Sequence, residues 1–222
     1  MPTFTGDEAL NYDQRIQRII PGYSLLHDLV VAQLSALFEE EAKILIVGGG
    51  TGEEAIRLAK SNPKWHITLQ DISSDMLDVA KQRIVDHRVS DQVSLCYDAL
   101  QVGYRQYDAV VCLFVLHFLP DNGDKLSLLR KMCSHLKPRA TLFLADLMIE
   151  HTGFEREAQL LACSALGLTQ IGVDRMRRNL KSEFYPLDKM RLAELLEHSG
   201  FDVARPFFQS LGFVGVTTVV LP

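Results

Sequence analysis

The chain has 222 residues, 47% of them hydrophobic and 23% charged, with a formal net charge of −5. That suffices for one well-buried core and excludes a disordered or fibrous chain, and the acidic balance argues against nucleic acid as a partner. No apolar run has the length of a membrane span: the longest, residues 107–119, carries Asp108 and His117.

The start, MPTFTGDEAL, has neither the basic nor the apolar stretch of a signal peptide. Cys96, Cys112, Cys133 and Cys163 are scattered, with no CxxC pair. They read as free thiols of a cytoplasmic protein without a metal site.

In chain order, the first forty residues predict two helices broken at Pro21-Gly22. Ile16, Ile19 and Ile20 end the first, and Leu26, Leu29, Val30, Leu34 and Leu37 run along the second from Tyr23. Residues 43–48 form a short apolar strand ending in glycines, as in a buried parallel sheet. A helix over 53–60, a strand over 65–70 ending at Asp71, and a helix capped by Ser73 or Ser74 follow, the last with Met76, Leu77, Ala80 and Ile84 on one face. Strands over 93–98, 107–116 and 140–149 enclose a helix over 125–136 that turns Leu126, Leu129, Met132, Cys133 and Leu136 inward. Residues 151–185 insert helical material interrupted by glycines. A last helix over 187–199 stops at Gly200, and 201–209 with 213–221 make an antiparallel pair at the sheet edge.

The fold class this predicts is α/β: a doubly wound, Rossmann-like sheet, mostly parallel with an antiparallel C-terminal strand, plus N-terminal helices and a helical lid. We expect one domain, divided into a cap (1–40), a cofactor-binding core (41–150), a lid (151–185) and a terminal segment (186–222).

Gly48-Gly49-Gly50-Thr51-Gly52 lies between the first strand and its crossover helix, where glycines let a ligand approach the backbone. A dinucleotide fingerprint from Gly48 and Gly50 would need glycine where Glu53 stands, and a carboxylate facing a pyrophosphate repels it. A ligand without phosphates fits better. Asp71, ending the second strand, can accept hydrogen bonds from a ribose or cap the next helix. Asp98 beside the Ala99 N–H can read an adenine, or is a surface carboxylate.

The segments ILIVGGGTGEEAIRLA, ITLQDISSDMLDVAKQRI, VSLCYDA, YDAVVCLFVLHFLP and LLRKMCSHLKPRATLFLAD resemble, in order and spacing, the motifs of class I S-adenosylmethionine-dependent methyltransferases. The resemblance covers about residues 40–149. It implies S-adenosyl-L-methionine as cofactor, with Gly48, Gly50 and Gly52 at its methionine part, Asp71 on the ribose, Asp98 and Ala99 on the adenine, Ile72 and Leu100 enclosing the ring, and Leu113 and Phe114 offering carbonyls to the ammonium. It departs at Ile46, where the family carries an acidic residue, and at Pro138-Arg139-Ala140, where it carries Pro-Gly-Gly. The N-terminal Tyr12-Asp13-x-Arg15-Ile16 stretch and the C-terminal SGFDVARPFFQSLGFVGVTTVV are similar to a branch that includes carboxy-S-adenosylmethionine synthase. That synthase's carboxylate-binding arginine corresponds to Leu195 here, which favours plain methyl transfer.

The expected function is methyl transfer to a small-molecule acceptor. Synthase-like chemistry, aminopropyl transfer and a non-catalytic binding protein are the alternatives. His117 and Asp146 are the candidate bases; each is otherwise a structural group. Tyr23, with Tyr12 and Arg15 on the N-terminal helices, is a candidate for the cofactor's or substrate's carboxylate. In the basic cluster of residues 175–181, Arg175 and Arg178 share a helix face, as do Arg177 and Lys181; a pair turned inward would select an anionic acceptor, and a pair turned outward is a solvated face. Neither a homodimer nor a monomer is excluded.

Overall fold

The computed structural model describes residues 6–149 and 152–222. The beginning of the expected cap and the expected lid boundary at residue 151 lie outside them.

Three helices open the chain: α1 (Asp7–Leu10), α2 (Tyr12–Ile19) and α3 (Tyr23–Leu37). The first expected helix is thus two, parted at Asn11, a residue type that favours helix starts. Gly22, at a φ of +82°, makes the second break in the left-handed conformation that glycine adopts freely.

The core then alternates β1 (Ala42–Val47), α4 (Glu53–Ser61), β2 (Trp65–Asp71), α5 (Ser74–Asp86), β3 (Val93–Tyr97), β4 (Tyr107–Leu113), α6 (Asp124–His135) and β5 (Leu136–Leu147). Two lid helices, α7 (Gly153–Ala165) and α8 (Gln170–Ser182), precede α9 (Lys189–Glu197), β6 (Arg205–Ser210) and β7 (Phe213–Val219).

The strands lie in the order β3-β2-β1-β4-β5-β7-β6. β1 to β5 pair in parallel, and β7 runs antiparallel between β5 and β6. Both faces of the central strands are covered, which explains their unbroken apolar runs. Ile44, Ile46, Ala109, Val111, Phe143 and Ala145 pack with the layer of α3, α4 and α5. Leu45, Val47, Val110, Cys112, Leu142 and Leu144 pack with the layer of α6 and α9.

Of the boundaries that differ from the sequence reading, three have a plain physical reason. β4 ends at Leu113 because Phe114 takes a φ of +61°, turning the chain into a 3-10 segment over Leu116–Phe118. β5 begins four residues earlier than expected, since Leu136 pairs with Tyr107 across a register shift that leaves Arg139 at a φ of +64°. α9 starts after Asp188, whose side chain accepts from the Arg191 N–H, while Leu187 bridges to Met148. In α6, Leu129 and Met132 are buried as expected but Leu126 and Cys133 are only half-buried. Lys125 is as deep as Leu129 and Met132, with no exposure.

Candidate functional site

Strand order reverses direction between β1 and β4, and the carboxyl ends of parallel strands part at such a point. A cleft of about 280 Å³ opens there. Beside it lies a cavity of about 890 Å³ under the N-terminal helices and the lid. Tyr12, Phe114 and Phe118 line both.

In the cleft, Gly48 and Gly50 adopt φ values of +68° and +51°. A Cβ on Gly48 would stand 2.5 Å from Val115 Cγ2, whereas one on Gly50 would meet only the Met76 methyl, at 3.4 Å. Asp71 accepts 2.8 Å bonds from the Gly50 N–H on Oδ2 and the Ser73 N–H on Oδ1. Burial pushes the Asp71 carboxyl above its ordinary range, and the backbone donors of Ser73, Gly50 and Ile72 act against that. Ile72, Leu100, Leu113, Leu119, Leu128 and Met76 supply apolar walls, and α6 adds Asp124, Ser127 and Lys131. An acceptor pair at one end and an apolar slot suit a ribose and an adenine ring. A backbone turn with no facing phosphate partner suits an amino acid moiety.

The expected cofactor residues divide. Gly48, Gly50, Asp71, Ile72, Ala99 and Leu113 line the cleft. Asp98 is exposed and outside the lining: its Oδ1 accepts from the Ala99 N–H at 2.7 Å, so carboxylate and amide are engaged with each other. Gly52 lies under α5, where a Cβ would meet Ala80 at 3.3 Å. Tyr23 is buried behind Phe114, with stacked rings 6.3 Å apart, and borders neither space. Glu53, the obstacle to a pyrophosphate in the sequence, turns away from the cleft to pair with Arg57 and Arg83 at 2.6 Å each. Its charge therefore does not face the glycine turn, and the missing glycine remains the argument against a dinucleotide.

In the larger cavity, His117 is buried on the 3-10 segment and lines the wall. Its Nδ1 lies 2.5 Å from Asp146 Oδ1, and its backbone N–H donates to both Asp146 oxygens at 3.2 and 3.3 Å. The Leu147 N–H adds a 2.7 Å bond to Oδ1. A carboxylate on Nδ1 holds the proton there and leaves Nε2 as the ring's acceptor. The ring packs against Phe118 (centroids 4.0 Å) and edge-on to Phe184 (4.8 Å).

Tyr12, Arg15 and Arg175 also line this cavity, and Glu8 stands between the two arginines, 3.8 Å from Arg15 and 3.5 Å from Arg175. Arg178 is exposed and outside the lining, and Arg177 pairs with Glu157 of α7. Sequence reasoning named Phe114 only for its carbonyl and missed the left-handed turn it makes at the junction of the two spaces, and it missed Lys125. A helical periodicity of four from Leu129 would have flagged the lysine.

Residues 45–142 match the family model of a methyltransferase domain. Malonyl-[acyl-carrier protein] O-methyltransferase of Priestia megaterium is 25% identical over 207 residues, 87% of this chain and 73% of that protein. Carboxy-S-adenosyl-L-methionine synthase of Hydrogenovibrio crunogenus is 23% identical over 214 residues, 94% of this chain and 85% of that protein. Magnesium protoporphyrin IX methyltransferase of Synechocystis, solved with bound S-adenosylhomocysteine, superposes with a TM-score of 0.69 at 23% identity over 92% of this chain and 86% of its own. Other matched structures are longer, and this chain spans about half of them. With the fold, the glycine turn and the cleft in agreement, the chain carries a methyltransferase domain over residues 45–142 and is similar to class I S-adenosylmethionine-dependent methyltransferases, carboxy-S-adenosyl-L-methionine synthase among them.

Proposed function

We propose that the protein transfers the cofactor's methyl group to an oxygen of a small, largely apolar acceptor carrying an anionic group, with His117 as general base. The observation that carries this is the His117–Asp146 pair, buried at the wall of the larger cavity with Nε2 left to accept a proton.

When bound, S-adenosylmethionine supplies an electrophilic methyl group on sulfonium. This chain's residues then orient and deprotonate. We assign the ribose hydroxyls to Asp71, the adenine to the slot between Ile72 and Leu100 beside the Ala99 backbone, and the methionine part to the turn at Gly48 and Gly50. Phe114 and Phe118 separate this cleft from the acceptor and keep water out of the gap between them. His117 Nε2 takes the proton of an acceptor hydroxyl, and the imidazolium that forms is stabilised by the Asp146 carboxylate 2.5 Å from Nδ1. The cavity volume, about 890 Å³, matches a drug-sized ligand. Its apolar residues Ile16, Ile20, Leu168, Met176 and Phe213 would hold the acceptor's body, and Arg15 with Arg175 its acid.

Synthase chemistry is disfavoured, because Leu195 is buried in the α6–α9 layer and lines neither space. Aminopropyl transfer is disfavoured by the apolar end of β4.

The test is release of S-adenosylhomocysteine with a panel of hydroxylated aromatic and aliphatic carboxylic acids. His117→Gln should lower turnover of any accepted compound by roughly 10²- to 10⁴-fold without changing S-adenosylhomocysteine affinity. Retained turnover would remove His117 from the chemistry, and equal use of acids and their neutral amides would remove the anionic group.

A further inference from the structure

Among the described residues, Lys125 is a formally charged side chain that this fold hides completely: the residue has no exposure. It sits on the inner face of α6 in register with Leu129 and Met132, where an apolar side chain would satisfy packing alone. Burying an ammonium is costly, so the site must return hydrogen bonds to it.

It does so with two carbonyls from different parts of the chain. Nζ donates to Leu116 O at 2.5 Å and to Tyr185 O at 2.7 Å. Leu116 is the neighbour of His117, and Tyr185 belongs to the stretch leading out of the lid. The same stretch is stitched on twice more: the Tyr185 N–H donates to His117 O at 2.7 Å, and the Ile149 N–H to Leu187 O at 2.9 Å. Phe184, one residue before Tyr185, presents its ring to His117. Burial pulls the Lys125 ammonium down from its ordinary range, and Asp146 and Asp121 act against that. Asp146 is the same carboxylate that holds His117. From the same helix, Asp124, Ser127, Leu128 and Lys131 form a wall of the proposed cofactor cleft. One helix therefore borders the cofactor and, through one buried cation, grips both the turn bearing His117 and the strap ending the lid.

We propose that Lys125 is a positioning residue that seats the lid strap on the His117 turn, so that covering the acceptor cavity and presenting the base are a single event. The proposal rests on the reading of His117 as base, and its test needs no turnover. The protein saturated with S-adenosylhomocysteine is followed by amide hydrogen exchange and by the ring nitrogen signals of His117. In the parent, Tyr185 N–H should exchange much more slowly than the exposed amides of α8, and the ring should show one tautomer, protonated on Nδ1.

Lys125→Met, which keeps volume and removes the donors, should speed Tyr185 exchange by about tenfold or more and mix the tautomers. Core amides such as Val110, and S-adenosylhomocysteine affinity, should stay unchanged. Unaltered Tyr185 protection and a single tautomer in the variant would overturn the proposal. Should the variant not fold, rapid Tyr185 exchange in the parent overturns it equally, and slow exchange supports it. Failure of the base reading shows separately, as methyl transfer retained in His117→Gln.

Discussion

The cofactor cleft is made by backbone and short side chains at the ends of adjacent strands: Gly48 and Gly50 after β1, Asp71 closing β2, Leu113 closing β4. The larger cavity, the proposed acceptor site, is made by long side chains drawn from distant stretches: residues 8–20, 114–118, 147, 167–185 and 213. The first sits on a sheet whose hydrogen-bonded ladder leaves few alternatives. The second sits under helices that still expose Phe154, Leu161 and Ile171 to solvent. The contrast teaches that one part of this molecule is shaped by main-chain geometry, which tolerates little change. The other is shaped by assembly, which can be rebuilt for a new acceptor without disturbing the first.

Substitutions can break that contrast, and the largest effect belongs where the two regions meet. Asp146→Asn would let the amide donate to Nδ1 and favour the tautomer with its proton on Nε2. Methyl transfer should fall by roughly 10²- to 10⁴-fold with S-adenosylhomocysteine affinity intact, as steady-state rates beside calorimetry would read. A loss of cofactor affinity instead would place Asp146 in the cleft.

Next comes Asp71→Ala. It removes the proposed ribose contacts and also the acceptors for the Gly50 and Ser73 N–H groups. Cofactor binding should weaken by about 2–4 kcal/mol, and the unliganded protein should melt at lower temperature, because two backbone donors lose their partner. An unchanged midpoint would mean that those bonds contribute nothing to the fold.

Arg175→Ala and Arg178→Ala sharpen the comparison on the other side. The first should raise the acceptor's Michaelis constant several-fold and spare cofactor affinity; the second should change neither quantity. Equal effects would contradict the placement of Arg178 outside the cavity.

These examples show what the sequence made legible. The glycine turn and Asp71 could be read because the reason for each is local: a positive φ, and a strand ending at the switch point. Arg175 and Arg178 share a broad face, so spacing alone paired them. The cavity follows Ile171, Arg175, Asn179 and Glu183, a row of i, i+4 steps, and Arg178 falls on the far side of Arg175 from Asn179. The His117–Asp146 pair was legible only as two separate candidates, since their contact depends on β4 and β5 lying side by side. Phe114 was legible only as a carbonyl at the end of a strand, because nothing in an apolar run announces the residue that turns left-handed.

The smallest effect tests that same point. Arg139 adopts a φ of +64° where the resembling family carries glycine, at an irregularity in β5 far from either ligand space. Arg139→Gly should relieve strain and stabilise the protein by about 1 kcal/mol, with no change in cofactor binding. A destabilised variant would show that the arginine's contacts outweigh its backbone cost.

The most direct measurement is a crystal structure with S-adenosylhomocysteine bound. The ribose should lie on Asp71, the adenine between Ile72 and Leu100, and the sulfur should point past Phe114 toward His117 and the larger cavity. An adenosyl group lodged among Arg15, Arg175 and Phe184, or a sulfur facing away from His117, would contradict the account.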